Sequence, residues 1–520
     1  MTVASILETS YGRFAARPML VDGFAHRTYA EIGDRVHRAV NGLRALGLAA
    51  GDRIAIISPN GPGFIEASHA AFVGGFVRVT PSTKLHAEEI RHILDDSGAR
   101  IAVVSPDWAE SVLSFRSELR SLTAVVVFGD KVPGAITFDE LVLSGDPEPP
   151  PVLPSPQDLC ALLYTSGTTG RPKGAMLTHA NWAAMIRNSL TELPSVETDD
   201  VVLHVAPLSH FSGYVEPTYS ARGAAHLVHE TFDPRAVLDA IERHRVTVVP
   251  LVPTMLNMLL PEAEEGEYDL SSLRAIVYGG SAIAPDRLAR AVKVFGDVFV
   301  QFFGLSEAPM PLAALSPRDH SFDLNGPPPP RLSSAGRVHP FVELQIRGAD
   351  GGGLPAGEVG EIAVRGDTVM RGYWNQPEQT AEMIDADGWT ETGDLGRLDE
   401  DGYLYIVDRK RDTIITGGYN VYPTEVENAI ATLPEVQEVA VVGVPDEIWG
   451  EAVMAVVVVR EGQSLDSETV LEACRQRLAN YKKPRAVEFV RELPKTGSGK
   501  IMRRALRQSH WIGHERSIGG

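Results

Sequence analysis

The amino-acid sequence predicts an α/β protein with a large N-terminal domain and a small α+β C-terminal domain. Three observations predict this class. Strand-sized apolar runs alternate with helical patterns over most of the chain. Short strands with close turns follow a second proline-rich break, and the pattern changes again from about residue 412. A chain of 520 residues is also too long for one hydrophobic core.

The first 140 residues combine helical patterns with short apolar strands, such as 53–57 and 101–104. This alternation is typical of a parallel sheet covered by helices. A proline-rich stretch, 145–156, reads as a linker. The alternation then resumes. It predicts strands at 201–206, 246–251, 273–278 and 298–303, and helices at 234–244 and 285–295.

A second break at 325–331 precedes predicted strands at 342–347, 361–365 and 403–407, which suggest an antiparallel or β-barrel-like section. The remaining residues form a separate α+β unit. Its predicted helices are 424–433 and 467–478, and its predicted strands are 438–444, 452–460 and 486–490.

Composition excludes several classes of protein. The formal net charge of −20 leaves no basic surplus to neutralise nucleic-acid phosphates. The two cysteines, Cys160 and Cys474, lie far apart in apolar surroundings, which argues against a disulfide framework and favours a reducing cytoplasm. The N-terminal residues do not read as a signal peptide, and no apolar run reaches 18 residues. Peripheral contact with a membrane stays open.

The segment 164–179, YTSGTTGRPKGAMLTH, has the chemistry of a phosphate-binding loop. Its glycines let backbone N–H groups approach a ligand, its hydroxyls donate to phosphate oxygens, and Lys173 adds a compact positive charge. The spacing does not fit a Walker P-loop, because proline precedes Lys173 and glycine follows it. The competing interpretation is a flexible linker. We expect the loop to join a strand at 159–163 to a helix at 181–190 that Thr178 caps.

This loop resembles the phosphate-binding signature of the adenylate-forming superfamily, which includes acyl-CoA synthetases, adenylation domains and firefly-type luciferases. Four further motifs follow in the family's order: 301–307 (QFFGLSE), 392–394 (TGD), 408–427 and 493–500 (LPKTGSGK). The resemblance is greatest to acyl-CoA synthetases. It implies an N-terminal AMP-binding domain over 1–408, a hinge at 409–411 and a mobile C-terminal domain over 412–520.

The resemblance also implies the residues that bind ATP and Mg²⁺. Phe303 takes the position of the aromatic ring that stacks on adenine, Asp394 and Arg409 those that hold the ribose, and Glu307 with Thr165 those that bind Mg²⁺. This chain has Phe303 where tyrosine is usual and Ser306 where threonine is usual. The full expected ATP/AMP set is Thr165, Ser166, Gly167, Thr168, Thr169, Gly170, Lys173, Gly280, Ser281, Gln301, Phe302, Phe303, Gly304, Ser306, Asp394, Arg409 and Lys500.

Lys500 matches the family's catalytic lysine, a cation that bridges the substrate carboxylate and the α-phosphate. Joining two anions requires such a charge, whereas no general base is needed because the carboxylate is already ionised. Glu307, Thr165 and His210 complete the expected catalytic set. Arg411 falls at the hinge pivot, where relatives usually carry Asp or Lys. The expected CoA-binding residues are Gly417, Gly418 and Tyr419.

The acyl pocket is expected to contain His210, Phe211, Tyr214, Tyr278, Gly279 and Gly304. The segment around His210 lacks the acidic residue that would hold an α-ammonium group, so an amino acid substrate is disfavoured. No Arg or Lys occurs in 207–215, 277–283 or 301–312, which argues weakly against a second carboxylate. Aryl, medium-chain and long-chain acids all stay open. The motif at 369–375 (VMRGYWN) is assigned to packing.

The expected reaction joins a carboxylic acid, ATP and CoA into acyl-CoA, AMP and pyrophosphate through an acyl-adenylate, with Mg²⁺. An adenylate passed to a carrier-protein thiol or an amine is the alternative. A non-catalytic nucleotide- or acyl-binding protein is a remote one, because it predicts loss of Lys500 or Glu307 and both are present. The expected partners are small molecules, with no nucleic acid and no transmembrane segment, and a homodimer stays open.

Overall fold

The computed structural model describes residues 1–22, 25–165, 172–417, 419–446, 448–495, 501–508 and 510–511. Over these ranges the chain forms four β-sheets with helices packed on them. Three sheets take their strands from residues before 410, and the fourth takes its strands from residues after 413. The predicted fold class, a large unit of α/β sheets followed by a small α+β unit, is confirmed.

The first sheet has the strand order β7-β6-β5-β3-β4-β8-β9. Its strands are parallel, except that β8 and β9 run antiparallel. The elements of this part of the chain are α1 Val3–Arg13, β1 Pro18–Asp22, β2 Ala25–Thr28, α2 Tyr29–Ala45, β3 Arg53–Ile57, α3 Pro62–Gly74, β4 Val77–Val79, α4 Ala87–Ser97, β5 Ile101–Val104, α5 Pro106–Ser114, β6 Ala124–Val127, β7 Ile136–Thr137, α6 Phe138–Ser144, β8 Leu159–Thr165, β9 Lys173–Thr178 and α7 His179–Glu192.

The second sheet has the order β16-β15-β14-β13-β12-β10-β11-β1-β2. Its central strands are parallel, as the alternation predicts. The N-terminal hairpin β1–β2 joins this sheet through a parallel pairing of β1 with β11, although its neighbours in sequence belong to the first sheet. The elements that follow α7 are β10 Val201–His204, α8 Phe211–Ser220, β11 Ala225–Val228, α9 Pro234–His244, β12 Val248–Leu251, α10 Pro253–Glu265, β13 Ala275–Gly279, α11 Pro285–Phe295, β14 Phe299–Leu305, β15 Ala308–Leu315, α12 Pro317–His320 and β16 Arg337–Val338.

The antiparallel section is a sheet in the order β17-β18-β19-β20. Its elements are β17 Val342–Arg347, β18 Gly360–Gly366, α13 Pro377–Met383, β19 Thr390–Leu398 and β20 Leu404–Arg409. A short 3₁₀ turn, Lys410–Asp412, leads from β20 into the last unit. Its sheet has the order β22-β21-β24-β23, with β25 paired to β24.

The elements of this last unit are β21 Ile414–Thr416, β22 Tyr419–Val421, α14 Pro423–Ile430, β23 Val436–Asp446, β24 Gly450–Val459, α15 Ser467–Arg477, β25 Ala486–Phe489 and α16 Arg503–Gln508. Helices α14 and α15 cover one face of its sheet with a valine-rich core. Ile501 and Leu506 pack on the other face.

In the parts of the chain that the structure describes, no helix combines the length and the apolar character needed to cross a lipid bilayer.

Candidate active site

The phosphate-loop segment lies in a β-hairpin. Thr165 at the end of β8 pairs with Lys173 at the start of β9, and helix α7 begins only at His179. The prediction that the loop joins a strand to a helix was therefore wrong, although Thr178 does cap α7 as predicted. The error came from reading 173–178 as loop, whereas pairing with β8 makes it a strand. Residues 166–171 lie outside the described residues, so the predicted Ser166, Gly167, Thr168, Thr169 and Gly170 are not placed.

Tyr373 connects two of the predicted ATP-site residues. Its hydroxyl donates to Glu307 Oε1 at 2.8 Å, and the ammonium of Lys173 lies 5.3 Å from the centre of its ring. Burial raises the pKa of the Tyr373 hydroxyl above its ordinary value, so the group stays a hydrogen-bond donor at neutral pH. The structure thus places a side chain from the motif assigned to packing between the predicted phosphate lysine and the predicted Mg²⁺ ligand.

The backbone around Tyr373 is also tied to the hairpin. Trp374 N donates to Gly174 O at 2.8 Å, and Met176 N donates to Gly372 O at 2.9 Å. Residues 371–374 therefore run alongside β9 as a short added strand. The contact spans about 200 residues of sequence, and the sequence pattern carries no signal of it.

Glu307 occupies the turn between β14 and β15, beside Ser306. The Glu307 side chain is largely buried and its backbone carbonyl accepts from Met370 N at 2.8 Å. The hydrogen bond from Tyr373 falls on Oε1, and a carboxylate has a second oxygen suited to a hard cation such as Mg²⁺. These residues fit a magnesium ion that is carried on ATP phosphates.

Asp394 and Arg409 face each other across β19 and β20. Arg409 Nε lies 2.7 Å from Asp394 Oδ1, the Asp394 side chain is buried, and the Arg409 side chain is 42% exposed. A fixed carboxylate beside an arginine can accept from and donate to the two hydroxyls of a ribose. The structure thus brings together the two residues predicted to hold the ribose.

A cavity of about 230 Å³ lies beside the hairpin, between α8 and the ends of the central strands. Its described lining is formed by Pro81, Ser82, Leu85, Glu89, Ile93, Tyr164, Thr165, Pro172, Pro207, His210, Phe211, Tyr214, Val252, Thr254, Gly280, Ser281, Phe302, Gly304, Leu305, Ser306 and Met310. No lysine or arginine occurs in this described lining. The cavity joins residues predicted for the acyl pocket to residues predicted for the nucleotide.

Phe303, Tyr278 and Gly279, which were predicted for the site, do not line the cavity. Phe302 lines the cavity, whereas Phe303 packs in an apolar cluster on the other face of β14, because successive strand residues point to opposite sides. Tyr278 is fully buried, and its hydroxyl lies 2.9 Å from both Gln301 Oε1 and His320 Nε2. Tyr278 and the adjacent Gly279 lie outside the cavity lining.

One wall of the cavity, formed by α4 and the residues before it, belongs to no motif. Glu89 and Ile93 line the cavity from one face of α4, four residues apart, and Leu85 lines it from the turn before the helix. Nothing in the sequence indicates which cavity these residues face. Met310 of β15 is a further lining residue that no motif includes.

The predicted CoA-binding segment lies on an exposed aromatic surface of the C-terminal unit. Gly417 has φ +57°, its N–H donates to Trp449 O at 2.9 Å, and a Cβ there would lie 2.4 Å from Trp449 Cε3. Tyr419 is 58% exposed and packs against Tyr481 with ring centres 4.9 Å apart. Arg485 lies 4.9 Å above the Trp449 ring. Gly418 lies outside the described residues.

The predicted hinge residue Arg411 is exposed and sits in the 3₁₀ turn between the two units. The residues before and after Arg411 form ion pairs with different units of the chain. Lys410 Nζ lies 2.7 Å from Glu361 Oε2 of β18, and Asp412 Oδ1 lies 3.3 Å from Arg507 Nη2 of α16. Lys500 lies outside the described residues, so its approach to the cavity stays a prediction.

Comparison with known proteins places these features in a family. The family model described as "AMP-binding enzyme" matches residues 7–374, and that of the "AMP-binding enzyme C-terminal domain" matches residues 425–500. A feruloyl-CoA synthase of Amycolatopsis is 41% identical over 92% of this chain and 93% of its own length. An indoleacetate–CoA ligase of Aromatoleum aromaticum is 38% identical over 92% of each chain.

Solved structures agree with this assignment. The amide bond synthetase McbA from Marinactinospora thermotolerans superposes with a TM-score of 0.86 at 31% identity, covering 97% of this chain and 99% of McbA. The anthranilate CoA ligase AuaEII, in complex with anthranoyl-AMP, superposes with a TM-score of 0.89 at 26% identity, covering 98% and 97% of the two chains.

The expected enzyme class, an AMP-forming acid–thiol ligase that works through an acyl-adenylate, is confirmed. Both family models match in the expected order, and relatives of this identity extend over nearly the whole chain. The chain therefore belongs to the AMP-binding enzyme family, within which it resembles the acyl-CoA synthetases.

Proposed function

We propose that this ligase activates an aromatic monocarboxylic acid and transfers it to CoA. The cavity carries the proposal. Phe211, Tyr214 and Phe302 supply three aromatic side chains to its wall, and Met310 adds a thioether that adapts to ring edges. The described lining offers no cation to hold a second carboxylate. The feruloyl- and indoleacetate-specific relatives are named for acids of this type.

The first half-reaction joins the acid to ATP. A carboxylate oxygen attacks the α-phosphorus, and the bond from that phosphorus to the bridging oxygen breaks as pyrophosphate leaves. Lys173 would hold the leaving phosphates and Asp394 with Arg409 would hold the ribose. Glu307 with Thr165 would hold a Mg²⁺ ion, which would supply positive charge to neutralise the phosphates. Lys500 supplies positive charge where the carboxylate meets the α-phosphate. The Tyr373 hydroxyl fixes the Glu307 carboxylate by a hydrogen bond, and the Tyr373 ring packs against the Lys173 ammonium.

The second half-reaction transfers the acyl group. The CoA thiolate attacks the acyl carbonyl, and the bond from that carbon to the AMP oxygen breaks. We assign CoA to the surface formed by Gly417, Tyr419, Trp449, Tyr481 and Arg485. Its exposed rings can stack on a base, and Arg485 can pair with a phosphate. Gly417 has no side chain where a Cβ would collide with Trp449, which lets the Trp449 ring pack directly on the backbone of this surface.

Pyrophosphate exchange tests the substrate proposal. Purified enzyme is offered a panel of acids that includes ferulate, indoleacetate, octanoate, palmitate and malonate, with ATP and Mg²⁺. We expect exchange with the aromatic acids to exceed exchange with the aliphatic acids and with malonate. CoA-dependent AMP release is then measured for the best acid. Preferred exchange with palmitate or malonate would contradict the aromatic assignment.

An amine acceptor is the second candidate, favoured by the likeness to the amide bond synthetase McbA. The same cleft would then direct an amine nitrogen at the acyl-adenylate. Replacing CoA by a panel of amines and identifying the products by mass spectrometry separates the two. Amide formation that exceeds thioester formation would favour this candidate.

We also propose a reducing, cytoplasmic location. Cys160 and Cys474 are both buried and unlinked, and burial raises the pKa of each thiol, which keeps both in the unreactive protonated form.

A further inference from the structure

The residues on either side of the Lys500 loop are held together at its base. Lys495 and Ile501 form an antiparallel bridge, and Met502 N donates to Pro494 O at 2.8 Å. Leu493 and Ile501 pack with Leu506 against β23 and β24. The described residues on both sides of 496–500 are thus attached to the C-terminal sheet.

An ion pair anchors the first end. Lys495 Nζ lies 2.6 Å from Glu438 Oε1 on β23. This pairing commits the Lys495 ammonium to the small domain. Because the pair is partly exposed, we treat it as the weaker anchor.

Arg503 anchors the second end, three residues after Lys500. Its guanidinium makes a bidentate contact with the Glu427 carboxylate of α14, at 3.1 Å from Nε to Oε1 and 2.7 Å from Nη2 to Oε2. Glu427 Oε1 also accepts from Val441 N of β23 at 2.8 Å. Two parallel N–H···O bonds fix the direction of an arginine as well as its position.

The same arginine reaches the hinge. Arg503 Nη1 lies 3.7 Å from Asp412 Oδ2, and Arg507, one helical turn later, pairs with Asp412 Oδ1 at 3.3 Å. Arg507 Nη1 also donates to the backbone carbonyl of Arg411 at 3.4 Å. The turn at 410–412 is therefore fastened to α16 immediately after the pivot residue.

The surroundings make this arrangement costly to break. The Arg503 and Glu427 side chains are 19% and 14% exposed. Burial alone would disfavour the charged form of Arg503, but the nearby carboxylates raise its pKa above the ordinary value, with Glu427 contributing most. Removing the guanidinium would leave Glu427, Asp412 and Asp408 close together without their shared cation.

We propose that Arg503 is a positioning residue for Lys500. By binding Glu427 on one side and Asp412 on the other, it ties the start of α16 to helix α14 and to the end of the hinge turn. The chain that leads directly to Lys500 thereby starts from a fixed point in the small domain. This inference rests on the proposed role of Lys500 in adenylation.

The test compares the two half-reactions in the full-length enzyme. Arg503→Ala should lower the pyrophosphate-exchange rate by about 10- to 100-fold, because a displacement of about 1 Å at a catalytic group costs this much. Thioester formation from supplied acyl-adenylate and CoA should stay within about twofold, since Lys500 takes no part in it. Arg503→Lys, which keeps the charge without the bidentate contact, should recover part of the exchange rate. Arg504→Ala is the matched control, since Arg504 is exposed and has no ion pair among the described residues.

A double variant shows whether Arg503 acts through Lys500. In a Lys500→Ala background, Arg503→Ala should lower exchange no further. Additive losses, or equal losses in both half-reactions, would overturn the positioning role while leaving the function of Lys500 intact. Unchanged exchange in Lys500→Ala alone would instead overturn the proposed function of Lys500 and this inference with it. The ratio of the two half-reaction rates is taken from one preparation, so partial unfolding does not alter it.

Discussion

At the scale of single residues, the ATP site is built from side chains that approach from separate parts of the chain. The pairing of Asp394 with Arg409 follows from two motifs that the sequence displays. The bridge from Tyr373 to Glu307 and Lys173 does not, because it joins segments that share no local pattern and depends on residues 371–374 running beside β9. The motifs thus predicted the contact between Asp394 and Arg409, whereas the contacts of Tyr373 depend on tertiary packing.

Removing the Tyr373 hydroxyl should weaken Mg²⁺ binding at the proposed Glu307 site. In Tyr373→Phe the ring under Lys173 remains, but Glu307 loses a hydrogen bond to a charged acceptor, which is worth about 1.5–3 kcal/mol. We expect the pyrophosphate-exchange rate to fall roughly 10- to 100-fold, with a higher Mg²⁺ concentration needed for half-maximal rate. Tyr268→Phe is the control, because Tyr268 also donates to a glutamate, Glu262, at a partly buried position that does not line the cavity. An unchanged magnesium dependence would contradict the role of Tyr373.

A methyl group at Gly417 should impair CoA transfer while sparing adenylation. Gly417→Ala places a Cβ against Trp449 and forces an L-residue into the left-handed region, which costs about 1–2 kcal/mol. We expect CoA-dependent AMP release to fall about tenfold at unchanged pyrophosphate exchange. Gly462→Ala is the matched control, since Gly462 also has a positive φ but no atom near the new methyl group. Parallel loss of both half-reactions would argue against the CoA surface.

At the scale of helices and strands, caps and prolines made the helices predictable. Helices α9 and α11 begin at prolines and have the predicted bounds. Strand β9 was missed because it contains glycine and lacks a clear alternation, and only its pairing with β8 makes it a strand. The parallel pairing of β1 with β11 could not be predicted from the sequence either, because it joins segments about 200 residues apart.

Helix α8 combines the cavity wall with a buried polar network on its other side. A continuous chain of hydrogen bonds links side chains of α8 to neighbouring elements. Its members, in the order in which they contact one another, are Ser212, His204, His226, Ser220, Glu216, His69 and Tyr11. Burial lowers the pKa of His204 to about 3 and that of His226 to about 4. Both imidazoles are therefore neutral in the folded protein. The network fixes α8 on the side opposite the cavity.

Stability should decline as the pH falls below about 6.5. Burial lowers the pKa of His179, His226 and His320 to about 4 and that of His204 to about 3, from 6.5 in the unfolded chain. The unfolded state therefore binds more protons over this range, and each such histidine removes up to about 1.4 kcal/mol of unfolding free energy per pH unit. Asp408 acts in the opposite sense, because burial raises its pKa to about 6.

Denaturant titrations at pH 7.5, 6.5, 5.5 and 5.0 measure this dependence. The pKa is also raised for Glu66, Glu192 and Glu391 and lowered for His229 and His339, so six histidines oppose four carboxyls. We therefore expect the unfolding free energy to be nearly constant above pH 6.5 and to fall below it. A constant or rising value between pH 6.5 and 5.0 would show that these histidines are already protonated in the folded state.

At the scale of the whole molecule, hydrogen bonds join the small domain to the large one on both sides of the hinge turn. Thr424 N at the start of α14 donates to Asp408 Oδ2 at 2.8 Å, and Arg287 Nη2 of α11 donates to Val436 O at 3.2 Å. Lys410 and Asp412 are bound to opposite domains. We infer that rotation between the half-reactions is confined to the backbone of Arg411. The change of pattern near residue 412 predicts a domain boundary there.

Fixing that backbone should separate the two half-reactions. Arg411→Pro restricts φ to about −65°, which limits rotation at the pivot. We expect CoA-dependent turnover to fall at least roughly tenfold relative to Arg411→Ala, while one of the half-reactions measured alone is retained. Steady-state turnover and both half-reactions are measured in each variant. Equal behaviour of the proline and alanine variants would place the pivot elsewhere.

We propose that one cleft carries out adenylation with Lys500 and thioester formation without it. Lys500→Ala, measured in both half-reactions with the preferred aromatic acid, separates the two roles. We expect pyrophosphate exchange to fall on the order of 10²–10³-fold while acyl transfer from supplied acyl-adenylate to CoA is largely kept. Equal loss of both activities, or retention of both, would contradict this proposal.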